Sequence, residues 1–411
     1  MKLRKKAKSS SSNSFCFSES MYIPLELLTQ ILAYLPVKSL VRFRSVCKSW
    51  CSIIDHPDFV HMQLLLCRSN NNNKYDSGKL LSLECSGYPD YDGCWMALRK
   101  VHTLRKVCHV FKRSEGYDIK GICKSLVLIC SQQFRPNGLR ICNPSIRKSL
   151  LLPPCPLLPS QVYMTAFVFG FVPRSKDFKV IAILYKYFCC ARRPELPVAV
   201  YTLSDQQWTV RKNGLNMDVL TFSGMFKSHY FLPNPYYYDG AVYWLGNDPS
   251  VDSSDDLCSE PTHLVSLDLD TENFEFLELP IIAIDETQTT SLVFLLGESL
   301  AVFSISSVRS AIWVLKRENN KREWSQWFSG PSSVDGCNLF GQKGSREIAR
   351  LLYYEGDGGY FVYGNESYNI ATCKVGKRRK FLSHGAELET YSESLVLCKG
   401  YGAEDMASSP F

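Results

Sequence analysis

The residues of this chain that could do chemistry are 17 cysteines, 7 histidines and a glycine cluster, Glu355-Gly356-Asp357-Gly358-Gly359-Tyr360. Thiols and imidazoles hold a metal or make a nucleophile only where their spacing converges several of them on one point. No CxxC occurs, the histidines show no ligand spacing, and Cys108-His109 is an isolated pair. No metal and no cofactor is expected. The cysteines are odd in number and sit mostly beside Leu, Ile and Val, where a free thiol behaves as a small hydrophobe. The glycine cluster lacks the GxGxxG frame and the strand-to-helix context of a phosphate cradle, so a hairpin turn is its expected role. Neither GxSxG nor HExxH is present, and Asp255-Asp256 fall in a Ser/Asp-rich stretch that reads as a solvent-facing loop. Asn365-Glu366-Ser367 is a glycosylation acceptor only in a secreted chain. These patterns favour contact over catalysis.

Contact chemistry is concentrated in Tyr22 to Trp50, which carries more apolar residues than so short a stretch can bury. Pro24 suits the first position of a helix, and Leu27, Leu28, Ile31, Leu32 and Leu35 then form a wide apolar stripe. Pro36 disfavours helical geometry at Leu35 and ends that helix. A second helix is expected over about 37–44 and a third over about 47–54. A fourth starts in "DHPDFVHMQLLL", with Asp55 a cap and Pro57 in the first turn. A module of about 45 residues is marginal alone, and each fully buried Leu or Ile is worth roughly 1.5–3 kcal/mol. The stripe therefore either docks on a partner or packs on the rest of the chain.

The elements that must position this module follow from charge and periodicity. Of the net charge of +7, residues 1–20 carry +4 (Lys2, Arg4, Lys5, Lys6 and Lys8 against Glu19), leaving +3 for everything else. That excludes a global electrostatic footprint for nucleic acid. The basic segment leads into serines rather than an apolar core, so it reads as a disordered tail and not a secretory signal; "KLRKKAK" is a nuclear import signal or a solvated tail. The longest apolar run, Val162 to Val172, is too short to cross a bilayer, and no membrane insertion is expected. Cytosol or nucleus is the default compartment.

From about residue 75 the period becomes two, as in "HLVSLDLD". Asn137-Gly138, Asn213-Gly214, Asp239-Gly240 and Asp357-Gly358 suit tight hairpins. A strand–turn–strand unit recurs in "LRICNPSIRKSLLLP", "AVYTLSDQQWTVRK", "VSLDLDTENFEFLELP", "IWVLKRENNKREWSQW" and "ATCKVGKRRKFL". Between these, "KSLVLIC", "GAVYWLG", "SLAVFSI" and "GYFVYG" read as inner strands. The first three turns are about 62 and 65 residues apart, long for a propeller blade. A β-propeller of five to seven blades fits best, with a pair of β-sandwiches as the structural competitor. The fold class is thus α+β multidomain: a small all-α helical module, then an all-β, propeller-like domain. The expected boundaries are 1–20 tail, 21–66 helical module, 67–95 linker and first strands, and 96–405 β-domain.

The helical module resembles the F-box. The matching residues are Ile23-Pro24-x-Glu26-Leu27-Leu28, Ile31-Leu32, Leu35-Pro36-Val37-Lys38-Ser39-Leu40 and Arg42-Phe43-Arg44-x-Val46-Cys47-Lys48-Ser49-Trp50, closing with Ile53, Ile54, Pro57 and Phe59. The remainder resembles the F-box-associated domain of plant F-box proteins. Its order is followed by "GICKSLVLIC", "ICNPSIRKSLLLP", "FGFVPRSKDFKVIAILY", "VAVYTLSDQQW", "DGAVYWLG", "SLDLDTENFEFLELP" and "IWVLKRENNKREW". Lys124-Ser125 and Val172 depart from its pattern.

What the resemblance implies is a non-catalytic substrate receptor of a Skp–cullin–F-box ubiquitin ligase. Its F-box would dock a Skp-family adaptor, and through it cullin and RING subunits, while the β-domain presents a target protein. The expected adaptor-binding residues are Ile23, Pro24, Leu27, Leu28, Ile31, Leu35, Pro36, Leu40, Val46 and Trp50, some of which must also form the module's own core. Lys38, Arg42, Arg44 and Lys48 either steer an acidic adaptor or form a solvated face. In "FLPNPYYYDG", Tyr236, Tyr237 and Tyr238 either contact the target or pack into the following strand. Trp208, Trp244, Trp313, Trp324 and Trp327 read as blade core. The competing functions are an F-box scaffold without a degradation role and a propeller enzyme with a helical extension.

Overall fold

The computed structural model describes residues 23–69, 79–85, 94–100, 106–113, 117–131, 138–157, 163–186, 195–216, 235–246, 262–280, 290–296, 299–305, 309–318, 321–331, 338–341, 347–356, 360–369, 374–382, 386–397 and 400–406. The basic tail, Asn70–Asn73, Asn137, Asp255-Asp256 and Asp357-Gly358 lie outside them. Four helices come first: α1 (Leu25–Ala33), α2 (Val37–Phe43), α3 (Lys48–Ile54) and α4 (Pro57–Ser69). Pro24 takes the N-cap rather than the first helical position, at φ −51° and ψ 141°, and Pro36 repeats this for α2 at φ −57° and ψ 143°. Each proline lacks a donor and therefore sits where none is needed. Cys47 caps α3, its Sγ accepting the Trp50 amide at 3.5 Å.

Strands then follow in groups of three or four. Blade one contains β1 (Lys79–Cys85), β2 (Cys94–Lys100) and β3 (Lys106–Arg113), and blade two β4 (Tyr117–Cys123), β5 (Leu126–Ser131), β6 (Arg140–Asn143) and β7 (Lys148–Leu151). Blade three contains β8 (Tyr163–Val172), β9 (Asp177–Lys186), β10 (Glu195–Thr202) and β11 (Gln207–Asn216). Blade four contains β12 (Tyr236–Tyr238), β13 (Ala241–Gly246), β14 (His263–Asp268) and β15 (Phe274–Glu278). Blade five contains β16 (Thr290–Leu296), β17 (Ser299–Ile305), β18 (Arg309–Glu318) and β19 (Lys321–Pro331). Blade six contains β20 (Asn338–Gly341), β21 (Glu347–Gly356), β22 (Tyr360–Asn369) and β23 (Lys374–Leu382). The chain closes with β24 (Ala386–Tyr391), which returns to pair antiparallel with β1, and β25 (Glu404–Asp405), which adds to β7. Among the described residues there are thus six four-stranded antiparallel units, the last two joined by one parallel pair, Leu296 with Gly341. This is a propeller-like domain, and its first blade completes only when the C-terminal strand docks beside the first one.

The core lies between blades. Leu128, Ile141, Phe169, Phe171, Phe178 and Tyr201 fill the seam of blades two and three, and Val168, Ile181, Val200, Val242, Val265 and Leu267 that of three and four. Gly170 is required at the second seam, because a Cβ there would stand 2.6 Å from Tyr237 Cδ2 and would also overlap Leu269 Cδ1. Four recurring units are the third-to-fourth-strand hairpins of blades two to five. "ATCKVGKRRKFL" is not such a hairpin: Lys374–Leu382 is one continuous strand along β22. "KSLVLIC", "GAVYWLG", "SLAVFSI" and "GYFVYG" are interior strands paired on both sides, second or third in their blades. The first blade starts at β1, so strands within 67–95 belong to the β-domain, and α4 runs on to Ser69.

Turn chemistry departs most from expectation. Asp239-Gly240 forms the expected hairpin, with φ +48° and +85°, as a mirror-image turn demands. Asn213-Gly214 instead lies inside β11, where the pairing with β10 slips between Leu196 and Val198 and the extra residues are absorbed in the strand. The other turns place Lys124, Arg147, Lys176, Gln206 and Glu272 at φ between +55° and +59°, a region costly for a residue with a Cβ. Gln206→Gly therefore raises the urea midpoint, by the equivalent of about 0.5–1 kcal/mol. An unchanged or lower midpoint contradicts strain at that turn.

Blades three and four are also tied by charge. Glu272 accepts from Lys179 Nζ at 3.1 Å and from Arg211 at 2.7 and 3.0 Å. Burial alone would raise the Glu272 carboxyl, but hydrogen bonds and charges from Arg211 and Lys179 outweigh it and hold the pKa below its ordinary value. A depressed folded pKa stabilises fully above the unfolded value and loses that contribution as pH falls through the folded one. Glu272→Gln should therefore cost roughly 1–2 kcal/mol at neutral pH. The gap from wild type in urea midpoint should narrow below about pH 4.5. A gap that is the same at pH 7 and pH 3.5 contradicts the ionic role.

Candidate adaptor face and its propeller support

The helical module is built on Leu32, Ala33, Val37, Leu40, Ile54 and Phe59, all buried, with Leu28, Leu35, Phe43, Trp50 and Ile53 packed around them. Leu28 N donates to Pro24 O at 3.0 Å, and Leu40 N to Pro36 O at 3.1 Å, so each helix begins at its proline. Phe43 and Trp50 meet edge to face, ring centroids 5.2 Å apart. Arg44 clamps Asp55 through two hydrogen bonds of 2.7 and 3.0 Å, fixing the end of α2 against the end of α3. Arg44 is thereby engaged within the module, whereas Lys38, Arg42 and Lys48 are exposed.

With the core filled, the opposite side of α1 is left exposed among the described residues. Leu27 is 52% exposed and Ile31 54%, and Tyr34 completes the i, i+4, i+7 row. Ile23, Leu25, Val41 and Val46 are exposed as well, as are Pro24 and Pro36. Of the ten residues expected to bind an adaptor, six are exposed: Ile23, Pro24, Leu27, Ile31, Pro36 and Val46. Leu28, Leu35 and Trp50 are half-buried, serving core and surface together. Leu40 is fully buried, so it cannot touch a docked partner and acts as core. Leu25, Tyr34 and Val41 are exposed too and were not among the expected residues, although the Leu27–Ile31–Tyr34 spacing points to Tyr34. Covering one half-exposed Leu or Ile is worth about 1 kcal/mol, so the row together is a substantial docking drive.

The module rests on the propeller through α4. Leu64 is buried with the seam of blades two and three, Val60 touches both cores, and His61 stacks on Phe171 at 6.4 Å. Tyr236–Tyr238 are not a surface loop. They form β12, half-buried, with Tyr237 in the seam toward blade three and Tyr236 and Tyr238 in the seam toward blade five. Tyr237 Oη accepts from Gly240 N at 3.2 Å, and the Arg317 guanidinium lies 5.9 Å from the Tyr238 ring centre. Three residues suffice for this strand because each pairs with β13.

Comparison with known proteins decides what these two parts are. The F-box domain matches residues 22–62, and the F-box associated beta propeller domain matches residues 99–396. The chain belongs to the plant F-box proteins with an F-box-associated domain. One relative is an F-box/kelch-repeat protein of Arabidopsis thaliana, 24% identical over 319 residues, covering 76% of this chain and 80% of that one. Another Arabidopsis F-box protein is 22% identical over 418 residues and covers 91% of this chain and 92% of its own length. Among solved structures, TolB of Acinetobacter baumannii overlaps 76% of this chain and 65% of its own at a TM-score of 0.43 and 10% identity, a likeness that carries no argument. In the F-box protein described here, the F-box falls on the helical module and the associated domain on the propeller-like body, whose described residues form six blades.

Proposed function

We propose that this F-box protein is the substrate-recognition subunit of a Skp–cullin–F-box ubiquitin ligase. Its F-box docks a Skp-family adaptor through Ile23, Pro24, Leu27, Ile31, Pro36 and Val46, with Leu28, Leu35 and Trp50 at the margin and Leu40 supporting them from below. The β-domain carries the target, and the transfer chemistry belongs to the cullin-bound RING and conjugating subunits, so the chain itself is a receptor and not an enzyme. The observation that carries this reading is the row Leu27–Ile31–Tyr34, exposed on a module whose core is already complete. Exposed Lys38, Arg42 and Lys48 on the same module favour an acidic partner, by steering more than by affinity. Work in the cytosol or nucleus fits the role.

Co-expression with a Skp-type adaptor tests this. The expected result is a complex that survives gel filtration and is lost when Leu27→Asp and Leu35→Asp are combined. A chain that is soluble alone and ignores the adaptor overturns the reading. A target whose abundance rises when the protein is removed separates a degradation receptor from a scaffold.

A further inference from the structure

The segment that follows the last blade strand serves three neighbours at once. Ser392 N and Oγ both donate to Lys124 O, at 3.4 and 2.5 Å, and Ser394 Oγ meets Ser125 Oγ in the same turn of blade two. Asn143 Nδ2 donates to Ser394 O at 3.0 Å and to Val396 O at 2.7 Å. Val396 and Leu397 enter the seam of blades two and three. Leu395, just before them and 1% exposed, packs instead with Leu32, Ala33, Val37, Leu40, Ile54 and Phe59 of the F-box. Ile146, from the turn between β6 and β7, is half-buried against both the propeller core and the F-box core.

We propose that Ser392–Leu397 is a strut that sets the orientation of the F-box on the propeller, with Leu395 and Ile146 as its positioning residues. The purpose of the strut rests on the receptor reading above. A bridge between adaptor and target works best when both ends keep one relation, because a swinging module dilutes the effective concentration of the target at the transfer site. Leu27 and Ile31 face solvent while Leu395 lies in the core behind them, so the adaptor face and the strut are separate surfaces of one module. Hydrogen bonding through Ser392, Ser394 and Val396 holds the strut to blade two whether or not the adaptor is bound.

Small-angle scattering of the full chain, alone and with a Skp-type adaptor, tests the strut in wild type, Leu395→Asp, Ile146→Asp and Leu395→Ile. The charge variants should lengthen the maximum dimension relative to wild type, since the module would then be held to the propeller by α4 alone. Leu395→Ile should keep the wild-type dimension. Ile146→Asp, which changes a propeller residue and leaves Leu27 and Ile31 untouched, should hold adaptor affinity within about threefold of wild type. Wild-type dimensions in both charge variants overturn the strut. Loss of adaptor binding in Ile146→Asp also overturns it, since the residue would then act on the docking face. If the wild type fails to bind the adaptor, the receptor reading falls, while scattering of the chain alone still tests the strut.

Discussion

Asn143→Ala lowers stability by about 3–4 kcal/mol and the apparent melting temperature by roughly 5–10 °C. Asn143 is fully buried and uses both ends of its amide. Nδ2 donates to Ser394 O and Val396 O, while Oδ1 accepts from Ser145 N at 3.0 Å and from the Tyr391 hydroxyl at 3.3 Å. Tyr391 ends β24, the strand that closes the ring, so one side chain joins blade two to the closing segment. Alanine leaves two buried carbonyls without their donor, and each such orphan costs about 1–3 kcal/mol. Asn143→Asp should be at least as harmful, because it keeps the acceptor, loses both donors and aims a carboxylate at two carbonyl oxygens. A thermal melt on the three proteins checks this, and an Asp variant as stable as wild type contradicts the account.

Leu27→Asp combined with Ile31→Asp should weaken adaptor binding by at least about 100-fold. Both side chains are more than half exposed, so the melting temperature should move little, the lower helix propensity of Asp costing a few tenths of a kcal/mol per site. The loss combines forfeited apolar burial with a carboxylate that must be desolvated on docking. Leu32→Asp provides the contrast: one position further along, at 1% exposure, it should unfold the module outright. Calorimetric titration against a Skp-type adaptor separates these cases, and retained affinity in the double variant would contradict the assignment of the face.

The helices were legible because Pro24, Pro36 and Pro57 punctuate an apolar stripe of period 3.6, and proline constrains the backbone locally. Which side of that stripe is core was not legible. Leu27, Leu28, Ile31, Leu32 and Leu35 are chemically alike, and only packing turns Leu32 inward and leaves Leu27 and Ile31 outside. Hairpins showed where glycine marks them, as at Asp239-Gly240, and where strand patterns flank the turn, as around Arg147, Gln206 and Glu272; what stayed hidden is the left-handed backbone at those three and at Lys124 and Lys176, residues that do not favour it. Asn213-Gly214 misled for the converse reason, since glycine also serves an irregular strand. The burial of Tyr236–Tyr238, the ring closure and the role of Leu395 depend on contacts between distant parts of the chain, and periodicity carries no trace of those. The blade seams explain why so many Val, Ile and Cys residues sit on strands: both faces of an inner strand are covered by a neighbouring blade.

The central claim is that one end of this molecule grips an adaptor through α1 while the propeller stays free for a target. Photocrosslinking from a benzoylphenylalanine at position 31 tests it most directly, with the same probe replacing Trp327, 42% exposed on the edge strand β19, as the comparison. The account predicts an adduct between chain and Skp-type adaptor from position 31 and none from position 327. An adduct from position 327 alone would contradict it.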